Sequence, residues 1–203
     1  VEYINERFSK LILKEDPTST LAEGDGLENI TWYPELIFRN NVVQNNRARS
    51  ILISVPKKVL IENNSFSSMM TAILFEGDLL DWYESGAVKD VTIKNNTFLD
   101  CGYGGGNYPV IWINPRQHKF LAEQPYEQNI RIENNIFRHF DRLLLKATSV
   151  NGLSFVNNTI EASDKYIPLK PNEADVDIKL SKDVKISGNK NKRKVKFLVK
   201  TDK

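Results

Sequence analysis

The chain has 203 residues, of which 40% are hydrophobic and 27% charged, with only 10 glycines, the composition of a globular protein large enough for one domain with a sizeable core or a small pair of domains. No apolar run approaches the ~18–20 residues of a membrane-spanning helix, and the single Cys101 excludes an internal disulfide or a cysteine-based zinc site. The net charge of +2 is unevenly divided, because Lys190 to Lys203 contains seven basic residues and one acidic one.

Residues 1–30 lack the repeat that organises the remainder of the chain. From there to the C-terminus one phrase recurs: "LIFRNN" (36–41), "VLIENN" (59–64), "VTIKNN" (91–96), "IRIENN" (130–135), "LSFVNN" (153–158) and "VKISGN" (184–189). The closing asparagines, Asn41, Asn64, Asn96, Asn135, Asn158 and Asn189, are 23, 32, 39, 23 and 31 residues apart. The shortest interval sets the unit and the longer ones are that unit with insertions. Within each phrase Val59 and Ile61, Val91 and Ile93, Ile130 and Ile132, and Val184 and Ile186 share one face, while Thr92, Arg131, Ser154 and Lys185 occupy the other, the period of a half-buried strand.

After the asparagines an apolar residue returns at Val43, Phe66, Phe98, Phe137 and Ile160. Several short strands per unit, few hairpin glycines and no sustained 3.6-residue apolar period predict an all-β fold, a parallel β-helix of about six coils stacked ~4.8 Å apart. Stacked asparagines would then bond along one corner and tolerate its left-handed backbone. Three of the four N-x-S/T sequons, at Asn63, Asn95 and Asn157, fall on this corner and read as structural; the fourth is at Asn29. At the C-terminus Val195, Phe197 and Val199 alternate with lysines, which predicts a capping strand with a charged outer face rather than a nucleic-acid surface, since no basic stripe with interleaved aromatics occurs elsewhere.

Four units carry a further strand: "ILIS" (51–54), "ILFE" (73–76), "IWIN" (111–114) and "LLLK" (143–146). Alternation sends Ile51/Ile53, Ile73/Phe75, Ile111/Ile113 and Leu143/Leu145 inward. It leaves an outer column of Leu52, Leu74, Trp112 and Leu144 beside a polar column of Ser54, Glu76, Asn114 and Lys146. The insertions Gly77 to Ala87 and Pro115 to Gln128 leave the ends of two of these strands and are expected to rise over the same face as a groove.

The stretch "ILFEGDLLDWYESG" (73–86) delivers Glu76, Asp78, Asp81, Trp82, Tyr83 and Glu84 to the mouth of that groove. Glu76 and Asp78, two apart in extended chain, sit ~6.5–7 Å apart at Cα, within the ~6.5–9.5 Å range between the carboxyl groups of inverting glycosidases, so both are candidate catalytic residues. Trp82 or Tyr83 would stack on a sugar ring, and Arg47 and Arg49 one coil earlier are expected beside Glu76. A salt-bridged loop with no ligand would use the same residues. His118 and His139 have no partner at metal spacing, "GYGGGN" (102–107) reads as a turn, and the acidic loop lacks the order of a calcium-binding EF-hand, so no metal or cofactor is predicted.

The strings "RNNVVQNNRARSILISVPKKVLIENNSF" and "AILFEGDLLDWYESGAVKDVTIKNNTFLDC" resemble the C-terminal half of the bacterial α-1,3-galactosidases with a right-handed parallel β-helix, including the type that cleaves blood-group-B antigens. The match is dense from about Ala22 to Cys101 and thereafter rests on the coil motif. The resemblance implies a metal-free, inverting glycoside hydrolase acting on terminal α-linked galactose of a glycan. It implies a substrate-binding set of Arg47, Arg49, Glu76, Asp78, Trp82 and Glu84, to which the outer column adds Trp112. It also implies that residues 1–30 are the tail of an inserted small β-barrel-like subdomain, that 31–203 form the β-helix, and that the location is periplasmic or secreted. The family's paired catalytic aspartates have no counterpart here, where only Asp16 and Asp25 precede the quoted strings, so they are expected upstream, with self-association through an exposed coil edge as a consequence. A non-catalytic carbohydrate-binding or adhesin-like β-helix, or a purely structural solenoid, fits the same pattern.

Overall fold

The computed structural model describes residues 1–15, 21, 25–82, 84, 86–121 and 123–202. Three parallel six-stranded sheets form the walls of a β-solenoid, and each successive unit contributes one strand to each wall. Among the described residues there is no α-helix, only a three-residue 3-10 turn, Ile30–Trp32, capped by the Asn29 side chain. The first wall contains Leu36–Arg39, Lys58–Glu62, Asp90–Lys94, Glu127–Glu133, Val150–Val156 and Lys182–Ser187; the second runs from Val42–Asn46 through Ser65–Ser68, Thr97–Leu99, Ile136–His139 and Thr159–Ala162 to Lys190–Asn191. The third comprises Ile51–Ile53, Ile73–Phe75, Ile111–Ile113, Leu145–Thr148, Val176–Lys179 and Val199–Asp202.

The alternation read from the sequence holds along the first wall. Val59, Ile61, Val91, Ile93, Ile130 and Ile132 are fully enclosed. Behind the asparagine corner Phe38, Phe66, Phe98 and Phe137 stack at centroid separations of 6.2, 5.4 and 4.8 Å, so every unit adds one ring to a continuous column. Phe197 continues the core by stacking on Phe155, although the final strand begins only at Val199 and lies open to solvent at the edge of the third wall. Cys101 is buried, and burial pushes its thiol up to about 12, the inert state expected of a core cysteine.

The two asparagines of each phrase divide the work of the corner. The first takes the left-handed backbone, with φ of 59, 57, 55, 55 and 55° at Asn40, Asn63, Asn95, Asn134 and Asn157, and Gly188 takes it in the last unit. The second builds the ladder. Asn96 Oδ1 accepts from the backbone N and the Nδ2 of Asn64, both at 2.9 Å, while Asn96 donates from its own N and Nδ2 to Asn135 Oδ1. Asn135 repeats this toward Asn158, and Asn158 toward Asn189.

One register differs from expectation. Leu145, Lys146 and Ala147 pair with Ile111, Trp112 and Ile113, so the fourth strand is displaced by two residues. Leu144 is not in the outer column but fully buried, and Lys146 takes that place beside Trp112 instead of following Asn114. Three consecutive leucines carry no alternation from which to read facing, and Leu143, with φ of 56°, turns the corner before the strand starts. In residues 1–30 the described part holds an exposed antiparallel pair, Glu2–Tyr3 with Ser9–Lys10, while Asp16 and residues 17–20 and 22–24 of the expected β-barrel-like segment lie outside the described residues.

Candidate functional site

The outer face of the third wall is partly covered. Leu52, on the first unit, is 37% exposed, whereas Leu74 directly beside it in the ladder is 7% exposed. Next in that column Trp112 is half-buried, with the Lys146 ammonium 5.9 Å from its ring centroid. The indole Nε1 is buried and has no hydrogen-bond partner among the described residues.

In the adjacent column Glu76 and Asn114 stand on neighbouring rungs, and Asn114 Nδ2 donates to Glu76 Oε2 at 3.1 Å. Beyond them the wall frays into a second layer of bonds. Arg116 N donates to Gly77 O, Leu79 N to Arg116 O, and Asp78 N to Glu84 O, closing the 78–84 loop. The Asp78 side chain is 2% exposed and holds that loop from within. Its Oδ1 accepts from the backbone N of Leu80 and Asp81, both at 2.8 Å, and its Oδ2 accepts from Arg116 Nη1 at 2.7 Å. The Asp81 N–H is the largest influence keeping the Asp78 carboxyl below the usual carboxylate range, with the Leu80 and Trp82 N–H groups and Arg116 reinforcing it against burial. Arg116 reaches Asp81 through Nη2, so one guanidinium bridges two carboxylates of the loop.

The loop presents Trp82, 73% exposed, at its tip, with Glu84 also exposed; Tyr83 lies outside the described residues. Glu76, Asp78, Trp82, Glu84 and Trp112 therefore gather on one side of the third wall. Arg47 and Arg49 do not join Glu76. The backbone N of Ser50 bonds to Thr71 O and Ile53 pairs with Phe75, which puts Glu76 level with Ser54, five residues beyond Arg49 and up to about 16 Å along extended chain. Both arginines are exposed and without a partner among the described residues.

Two contributors escaped the sequence reading. Arg116 gave no signal, because a lone arginine in an insertion has no periodic context. Glu127 closes the root of both insertions: it is fully buried, its Oε2 accepts from Val88 N, and Gln128 N donates to Val88 O. Burial pushes this carboxyl up to about 8, so it is protonated at neutral pH. Between the first insertion and residues 26–33 lies a cavity of about 650 Å³, with Glu28, Tyr33, Leu79, Lys89 and Tyr126 among its lining. Tyr33 and Tyr126 are both raised to about 12, chiefly by burial and then by the nearby carboxylates, so each stays a neutral hydroxyl. Among the described residues no group of histidine, cysteine, aspartate or glutamate side chains is arranged to hold a metal ion.

No protein-family model matches the chain. It is 46% identical over 169 residues to α-1,3-galactosidase A of Bacteroides fragilis, an alignment covering 82% of this chain and 28% of the relative. Against α-1,3-galactosidase B of Bacteroides thetaiotaomicron it is 43% identical over 167 residues, covering 81% and 27% respectively. Against α-1,3-galactosidase B of Akkermansia muciniphila it is 41% identical over 162 residues, covering 77% and 20%. The chain thus spans less than a third of the length of the curated relatives it matches.

Proposed function

This chain is a member of the bacterial α-1,3-galactosidase family, matching a segment of those proteins over about four fifths of its own length, and on that premise we propose that it forms the glycan-recognising β-helix segment of a glycoside hydrolase acting on terminal α-linked galactose. The observation that carries the reading is the outer face of the third wall, where the half-buried Trp112 shares the strand face of Asn114 in the Glu76–Asn114 pair and the exposed Trp82 sits on the loop that leaves the strand after Glu76. A carboxylate and an amide on adjacent rungs offer acceptors and a donor to sugar hydroxyls, and indole faces suit the C–H side of galactose. In this proposal Asp78 and Arg116 hold the loop that carries Trp82 and Glu84, while Arg47 and Arg49, at the other end of the strand, meet more distant units of the glycan. Hydrolysis by inversion requires two carboxyl groups about 6.5–9.5 Å apart. Asp78 is unsuited to be one of them, since both its oxygens are already bonded. The acid and base are accordingly proposed to lie elsewhere in a longer enzyme that works in the periplasm or outside the cell.

Galactose titrated against tryptophan fluorescence tests the binding surface: wild type responds, and Trp82→Ala and Glu76→Gln bind at least about tenfold more weakly. A flat response in wild type rejects the site. The second reading, a carbohydrate-binding β-helix without catalysis, is favoured by the full engagement of Asp78. Release of galactose from an α-1,3-galactoside by the longer protein, lost with Glu76→Gln, would reject it.

A further inference from the structure

A separate cavity of about 440 Å³ opens where the fourth, fifth and sixth units turn from the second wall toward the third. None of the residues proposed to recognise galactose lines it, so it stands or falls independently of that proposal. Phe140, Pro168, Pro171 and Val195 give it apolar walls. Arg193 enters from the sixth unit with a side chain 5% exposed. Its Nη1 lies 2.8 Å from Asp175 Oδ1 and its Nε donates to Asn191 Oδ1, but Nη2 is buried and has no partner among the described residues. Asp175 does not balance this charge alone, because its Oδ2 also accepts from Arg142 Nη1 at 3.1 Å and from the backbone N of Leu198 at 2.8 Å. Asp141, the carboxylate in the lining, is turned to the backbone N–H groups of Arg142, Leu169 and Lys170. His139, 4% exposed, also lines the cavity with a buried and unpartnered Nδ1. Burial pushes its ring down to about 4, so it is neutral and adds no charge.

Arg142, Arg193, Lys192 and Lys194 around the cleft outnumber the carboxylates that face them, Asp141, Asp175 and the Glu161 partner of Lys192, by one positive charge, and a buried unpaired N–H is costly. The group that relieves this is an anion with two acceptor oxygens. The proline and phenylalanine walls favour an anion attached to an apolar body over a hydrated one. We propose that the cleft binds a small organic carboxylate, its charged end toward the Arg193 and Lys194 side chains and its body against Phe140, Pro168 and Pro171. A neutral sugar would fill the volume without answering the charge, and inorganic phosphate would answer the charge without filling the walls.

Ligand-observed NMR with benzoate, hexanoate, glucuronate and inorganic phosphate tests this on the intact chain. Benzoate and hexanoate are expected to bind and to displace each other, with glucuronate and phosphate at least about tenfold weaker. Val195→Glu places a carboxylate on the cleft rim at a position 48% exposed, where folding is little affected; it is expected to weaken benzoate binding by about tenfold or more with an unchanged melting temperature. Arg193→Gln should abolish binding, and the rim variant keeps the test decisive if that substitution also unfolds the last unit. Failure of both benzoate and hexanoate to bind, binding indifferent to Val195→Glu, or phosphate binding as tightly as benzoate would each overturn the proposal.

Discussion

Two corners of the solenoid follow opposite rules. Between the first and second walls the chain turns within the same two asparagine-type positions in every unit, and the side chains of Asn41 through Asn189 bond from rung to rung. Between the third wall and the next unit the passage is a single residue, Ser149, in the fourth unit, but residues 76–89 in the second and 114–126 in the third. A ladder of side-chain amides tolerates no change of length, because one extra residue would remove an acceptor above and a donor below. The other corner has no such ladder, so the chain can leave the wall and return. Its return is secured locally, by Glu127 on Val88 and by Arg116 across Asp78 and Asp81. Stability is thus concentrated at the uniform corner and the proposed chemistry at the variable one.

The largest test of this contrast is Phe98→Ala. It removes the central ring of the aromatic column behind the asparagine corner and should cost about 3–5 kcal/mol in chemical denaturation, as a buried aromatic truncation does. Glu127→Gln probes the clamp of the other corner through pH. Because the folded carboxyl titrates near 8 and the ordinary one at 4.5, the folded protein holds a proton that the unfolded chain has released between these values. Wild-type stability should therefore fall as pH rises from about 4.5 toward 8, by an amount of order 4 kcal/mol, and the variant should lack that slope in denaturation curves taken across the window.

Asn96→Ala should cost about 2–3 kcal/mol, since it takes the acceptor from the Asn64 backbone N–H, the side-chain donor from Ile61 O and one of the two donors from Asn135 Oδ1 in a buried setting. Asp78→Ala, by contrast, should lower global stability by only about 1 kcal/mol while greatly accelerating amide exchange or proteolysis within 79–82. Equal global losses for Asn96→Ala and Asp78→Ala would erase the distinction between the two corners.

Much of this architecture is legible in the residue pattern alone. Five Asn-Asn phrases and one Gly-Asn phrase mark one corner, and the alternation at Val59/Ile61 or Ile130/Ile132 gives the facing of the first wall, because a period of two can be read wherever apolar and polar residues alternate. The same logic correctly places Trp112 on the outer face, and Glu76 beside Asn114. It fails at 143–146, where uniform leucines carry no phase, and at Arg47 and Arg49, whose proximity to Glu76 is judged by coil number and not by position along the strand.

By itself, then, the sequence determined the repeating unit, the asparagine corner and the inward faces, all of which depend on residues within a few positions of one another. Only the tertiary structure decided that Lys146 covers Trp112, that Arg116 bridges Asp78 and Asp81, that Glu127 is buried against Val88, and that Arg193 looks into a cleft built from three units. The first three of those pairings join residues 34 to 39 positions apart, and a charge or an aromatic ring in an aperiodic segment carries no local mark of the partner it will meet.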